Sequence, residues 1–217
     1  MGLFSWLFGA PETVTVRELV WQTSASRSRA VAKELAEHVA AGRSVLLLAH
    51  FPSTLAALAP DLLGEKLPHE PIPNGLAPES ALRAASPPRV LFGLVRNLKP
   101  AEFPSPEAPE SPLPVLLMER HFLRRHDDRA TEFARGLGGR AAVAVHNSFD
   151  DPFIKMFVGD WVLNTLKQLG IEPDEAIDSG LVNRRIRHAQ DTILARVREE
   201  DAPADSPEEW WQTNQRW

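Results

Sequence analysis

Three uninterrupted apolar runs constrain the fold of this chain more than any other feature. Residues 44–49 (SVLLLA), 89–95 (RVLFGLV) and 114–118 (PVLLM) lack the apolar-polar alternation of a sheet with one wet face. Strands of this kind are covered on both sides, as in parallel sheets whose crossover helices pack on each face. Residues 141–145 (AAVAV) read as a fourth strand, and Thr13 to Trp21 as a short strand or extended segment. Helical patterns lie between and after the strands. Ser24 to Ala41 repeats Val31, Leu35 and Val39 at four-residue spacing, with Ser24 or Ser26 as cap and Gly42 as stop. Thr54 to Leu63 is the next helix, and Pro152 to Leu169 carries one broad apolar face that includes Phe153, Phe157 and Trp161. Asp178 or Ser179 caps a last helix that runs to about Glu200. The expected class is α/β, a parallel sheet flanked by helices with a C-terminal helical extension.

Proline interrupts this pattern in one region. Fourteen of the 19 prolines fall between Pro52 and Pro114. Each removes an amide donor and restrains its predecessor, so long regular elements are not expected there apart from the strand at 89–95. Stretches 64–88 and 99–114 read as connectors.

From residue 118 onward the sequence carries a dense series of motifs: Met118-Glu119-Arg120-His121, Arg124-Arg125, Ser148-Phe149-Asp150-Asp151-Pro152-Phe153, Leu169-Gly170, Asp174-Glu175-Ala176-Ile177, then Val182-Asn183-Arg184-Arg185-Ile186 and Ala189-Gln190. In that order they resemble the SecA preprotein-translocase ATPase family, at the end of its second motor domain and the start of its helical scaffold. The resemblance is specific over about residues 115–200 and general over 13–98. It implies a RecA-like domain over 13–178 and a scaffold-like helix over 179–201; an apolar N-terminal segment over 1–12 and a tryptophan-rich tail over 202–217 flank them. Glu119, Arg120, His121, Asp150, Asp151 and Glu175 are the residues that carry the family signature.

The motor chemistry of that family is not matched. Where its arginine-rich motif runs, this chain has Arg129 to Gly139, with Glu132-Phe133 in place of Gly-Arg and Gly136 in place of the arginine that reaches the γ-phosphate. A glycine cannot stabilise charge on transferred phosphoryl oxygens. No G-x-x-x-x-G-K-[ST] run occurs in the 217 residues, and Gly136 to Gly139 is not followed by lysine. The expectation is a degenerate motor without ATP hydrolysis: a binding or adaptor protein beside protein export, needing no cofactor and docking on a translocation motor or secretion component. A second reading makes it an NTP-binding half-site, in which a partner supplies the P-loop and Arg124, Arg125, Arg129 and Arg135 hold the phosphates of ATP.

Other features narrow the classes. Glu119, Arg120 and His121 at a strand's carboxyl end invite an acid-base reading, but neighbours on a strand face opposite ways, which favours structural ion pairing. His121 and His126, with Asp127 and Asp128, have the wrong spacing for a metal on one helix face, and Asp150 and Asp151 read as helix caps. A net charge of −5 argues against nucleic-acid binding. The absence of cysteine fits a reducing cytoplasm. Leu3, Phe4, Trp6, Leu7 and Phe8 allow a third reading, a peripheral inner-membrane anchor, although no basic residue accompanies them; docking on protein surface is the competing account. Trp210, Trp211 and Trp217 are either partner anchors, exposed on a flexible lead, or a cover for the motor cleft.

Overall fold

Six strands form one sheet: β1 (Thr15–Trp21), β2 (Val45–Ala49), β3 (His69–Pro71), β4 (Val90–Leu94), β5 (Val115–Leu117) and β6 (Ala142–Ser148). Their spatial order is β1-β6-β5-β2-β4-β3, and all pairings are parallel. The computed structural model describes residues 14–64, 66–99, 113–137, 142–157, 160–168, 170–178 and 180–215. Eight helices accompany the strands among these residues: α1 (Ser24–Ala40), α2 (Pro52–Gly64), α3 (Pro78–Ala84), α4 (Arg124–Gly136), α5 (Pro152–Lys155), α6 (Asp160–Gln168), α7 (Gly180–Leu194) and α8 (Pro207–Asn214). The expected α/β class is what the chain adopts.

The apolar runs are covered on both faces because successive side chains alternate across the sheet. Val45 and Leu47 of β2, with Leu116, pack against Val31 and Leu35 of α1 and Leu58 of α2. Leu46 and Leu48, with Val115, Leu117, Val143 and Val145, face Ala130, Phe133 and Ala134 of α4. Every residue of β2 is fully buried. In β4 only a glycine fits at 93: a Cβ there would meet the side chain of Ile72, in the segment after β3.

The chain turns one way after β2, towards β4 and β3, and the other way after β5, towards β6. Since β2 and β5 are neighbours, the sheet has its topological switch point between them, and a crevice opens there beyond the carboxyl ends. A third cluster sits at that end. Phe51 follows β2, Phe122 and Leu123 follow β5, and Phe149 follows β6; they pack with Phe153 and Ile154 of α5, Ile186 and Ile193 of α7, and Trp210 of α8.

Several expectations are corrected. The cap of α1 is Thr23, whose hydroxyl accepts from the Ser26 amide at 3.0 Å, rather than Ser24 or Ser26. The proline-rich stretch is more regular than expected. Beyond the expected helix α2, Pro78 opens α3, where its missing amide is no loss, and Pro71 ends the short edge strand β3; residues 100–112 lie outside the described residues. The single helix expected over 152–169 is two, with Met156 and Phe157 in a turn. Phe153 is buried at 2% exposure and Phe157 is half-buried; the side chain of Trp161 lies outside the description. The helix expected to run to Glu200 ends at Leu194.

The tail departs most. Instead of a flexible lead into exposed tryptophans, residues 207–214 form α8, with Trp210 at 1% exposure and Trp211 half-buried. Trp210 stacks on Phe122 with ring centroids 4.9 Å apart, and Trp211 stacks on the same ring at 5.5 Å. Trp210 is therefore not an exposed partner anchor: burying so large an aromatic in its own core is the more favourable state. Trp217 and the apolar segment 1–12 lie outside the described residues.

Candidate functional site at the carboxyl edge of the sheet

Beyond β5, Glu119, Arg120 and His121 leave the strand and take up separate tasks. Glu119, buried, accepts from the backbone amides of His50 at 2.7 Å and Phe51 at 3.4 Å, tying the end of β2 to the end of β5. Arg120 reaches Glu18 in β1 and, at 3.3 Å, Asp127 in α4. His121 uses Nδ1 to accept from the Leu123 amide at 3.0 Å and lies flat on Phe51.

Asp127 is the hub. It is 1% exposed and accepts from His50 Nε2 at 2.8 Å, the His121 amide at 2.9 Å and Gln190 Nε2 at 2.6 Å. Burial alone would raise its pKa, but Arg120, His50 and the His121 amide outweigh burial and bring it down to about 2. Arg120 responds in kind. Burial opposes its charge, yet Asp127 and Glu18 hold its pKa above the ordinary value. Asn147 in β6 completes the set, donating to Glu18 at 3.0 Å and accepting from the Arg120 amide at 3.0 Å. This polar network joins β1, β2, β5, β6, α4 and α7, and every member needs its neighbours.

A second buried pair lies beside it. Arg27 of α1 clasps both oxygens of Asp151 at 2.7 and 2.8 Å and donates to the Met118 carbonyl at 2.9 Å. Burial, reinforced by nearby Glu119, pushes the Asp151 carboxyl up to about 6 despite Arg27. The capping role expected of this aspartate is corrected. Asp151 stands at the N-cap position of α5 without a side-chain cap bond, because its carboxylate faces Arg27 and the Ser148 amide. Asp150 instead accepts from the Ser24 amide at 2.8 Å, at the start of α1. Glu175 is exposed in the turn before Ile177, which bridges to Val20.

The crevice at the switch point is a cavity of about 250 Å³ walled by His50, Phe51, Arg96, His121, His126 and Arg129. Residues 200–204 and Trp210 line it as well. Arg125 meets Glu200 and Asp201 at 2.7 Å each, and His126 Nε2 donates to the Glu200 carbonyl at 3.1 Å. Burial keeps both His121 and His126 below the usual imidazole range. Three imidazoles gather here, but His50 donates from Nε2 to Asp127 and His126 donates to a carbonyl, so neither nitrogen offers a lone pair to a metal. No group of three or more ligating side chains arranged for a metal occurs among the described residues.

The four arginines proposed as phosphate ligands do not converge. Arg129 faces the crevice and donates to the Leu98 carbonyl at 3.0 Å, and Arg125 is turned to the 200–201 segment. Arg124 and Arg135 line a separate 250 Å³ pocket with Arg187. Spacing on α4 explains the division: 125 and 129 share one face, while 124, 128, 131 and 135 share another. Sequence reasoning missed Glu18, Arg27, His50, Asn147 and the hub role of Asp127. The signal for the last was its position between the pair Arg124-Arg125 and Arg129.

No protein-family model matches the chain. Among curated proteins it is 32% identical over 82 residues to the protein translocase subunit SecA of Rubrobacter xylanophilus, 37% over 82 residues to SecA of Symbiobacterium thermophilum and 34% over 84 residues to SecA of Burkholderia vietnamiensis. Each match covers 38–39% of this chain, and the chain spans about 9% of the length of these relatives. A solved structure, the C-terminal part of the Fun30 ATPase domain, superposes over 76% of this chain and 53% of its own length at 12% identity, with a TM-score of 0.42. No helix among the described residues is long and apolar enough to cross a membrane. The chain thus carries a SecA-like region on a parallel α/β sheet.

Proposed function

We propose that this chain is a non-catalytic SecA-like binding module that acts as an adaptor beside protein translocation. Its partner is a translocation motor or another secretion component, met in the cytoplasm or at the inner-membrane surface. The observation that carries this reading is that residues 200–204 and Trp210 of the chain itself line the carboxyl-edge crevice. In open α/β sheets that crevice is where ligands bind, and here the chain's own residues 200–204 and Trp210 take up part of its wall. The dispersal of the four arginines and the glycine at 136 also support a protein that does not turn over ATP, since phosphoryl transfer needs cations converging on the transferred group. The SecA-like stretch of 82–84 residues supports the link to translocation.

Two measurements test it together. Purified protein should show no magnesium-dependent ATP hydrolysis above background, and immobilised protein should retain the translocation ATPase of its source organism at physiological salt. Robust turnover by contaminant-free protein overturns the first half. Failure to retain that ATPase or any secretion component overturns the second.

A further inference from the structure

We propose that the groove between α5, α7 and α8 takes an acidic amphipathic helix of a protein partner, which assigns the partner's chemistry within the adaptor reading and rests on that reading. The groove has a volume of about 300 Å³. Its floor is apolar: Phe157 from the turn after α5, Ala189 and Ile193 from α7, and Trp211 from α8. Met156 stands at the lip, 44% exposed, a degree of exposure only two other large apolar residues share among the described ones. Methionine and half-buried aromatics are the side chains that protein interfaces use as anchors, because they bury much area with adaptable or few rotamers.

The charge on the rim selects the occupant. Arg185, His188 and Arg196 border the apolar floor, and no carboxylate lines the groove or pairs with any of the three among the described residues. A ridge of apolar side chains at i, i+3, i+4 and i+7 fits such a concavity, and glutamates beside that ridge would meet the two guanidiniums. A flat bilayer surface cannot enter a concave floor. The chain's own residues 1–11 are apolar but hold no acidic side chain before Glu12, so they leave the basic rim unanswered. Trp211, which sequence reasoning marked as a partner anchor, keeps that role here while Trp210 beside it belongs to the core.

The test uses the full chain and two labelled helical peptides of 18 residues, with leucines at i, i+3, i+4 and i+7, one flanked by glutamates and one by lysines. Fluorescence anisotropy should show saturable binding of the glutamate peptide that weakens as salt rises. Arg185→Glu combined with Arg196→Glu should weaken it by about tenfold or more and favour the lysine peptide instead. Met156→Asp, at an exposed position, should abolish binding with an unchanged melting temperature. Four results overturn the proposal: equal binding of both peptides, no saturable binding of either, binding only of anionic phosphatidylserine vesicles, or a self-association that Met156→Asp removes. If the glutamate peptide fails while the translocation ATPase is still retained, the groove assignment falls and the adaptor reading stands.

Discussion

Replacing Asp127 tests whether the polar network holds the carboxyl edge together. Its carboxylate receives His50, Gln190, the His121 amide and Arg120 within 3.3 Å, at a position 1% exposed. Asp127→Asn leaves Arg120 with Glu18 as its sole carboxylate and turns an amide towards donors that need an acceptor. Two routes give the magnitude. Removing one partner of a buried ion pair costs about 3 to 5 kcal/mol. Independently, a carboxyl held at about 2 against an ordinary 3.8 differs by roughly 2 units, or about 2 to 3 kcal/mol at 1.36 kcal/mol per unit. The expected loss at pH 7 is therefore about 3 kcal/mol. Its pH dependence follows from the depressed pKa: the contribution is complete above about pH 4 and disappears as the pH falls towards 2. Urea unfolding followed by tryptophan fluorescence at pH 7, 4 and 2.5 measures this directly. A gap between wild type and variant below about 1 kcal/mol at pH 7, or one that stays constant down to pH 2.5, would refute the hub role.

Three further predictions follow from the packing. Trp210→Ala should cost about 3 to 5 kcal/mol and lower Tm by roughly 6 to 20 °C, read by calorimetry, whereas a Tm within 2 °C of wild type would mean that α8 is not part of the fold. Gly93→Ala should cost about 1 to 3 kcal/mol because its methyl group meets Ile72, and the double variant with Ile72→Val should recover part of the loss; no recovery would exclude that contact as the cause. His146 is buried and neutral, with Nδ1 accepting from Trp21 at 3.3 Å; burial, aided by Arg27 and Arg17, holds its pKa at about 4. The unfolded chain takes up that proton first, so this group removes stability as pH falls from about 6.5 to 4, by about 3 kcal/mol in all. Asp151, raised to about 6, acts in the opposite sense over the same window, while the depressed His121 and His126 act in the same sense as His146. In His146→Gln the penalty from His146 is absent, so the variant should lose less stability than wild type between pH 7 and 4.5, by up to about 3 kcal/mol; a profile parallel to wild type would refute the assignment.

What the sequence disclosed and what it hid divide along a physical line. Strands β2, β4 and β5 were legible because burial on both faces demands apolar residues at every position, a local requirement written into each run. Elements whose form depends on contacts far along the chain were not. β3 exists because Val90 and Ile72 exchange backbone bonds with Pro68 and Phe92 across the sheet edge, and nothing in His69-Glu70-Pro71 announces a strand. The polar hub is of the same kind, since Glu18, His50, Asp127 and Gln190 come from four distant segments and each looks unremarkable where it stands. Only α8 carried a readable signal that was passed over. Ser206-Pro207-Glu208-Glu209 has a capping serine, a proline at the first helical position and a glutamate three residues after the serine; the Ser206 hydroxyl accepts from the Glu209 amide at 3.2 Å, and the Glu209 carboxylate accepts from the Asp205 amide at 2.8 Å. Those four residues fix the direction in which the tail turns. Because they do, Trp210 enters the core beside Phe122 while Trp211, one residue on and about 100° round the helix, is left on the wall of the basic-rimmed groove.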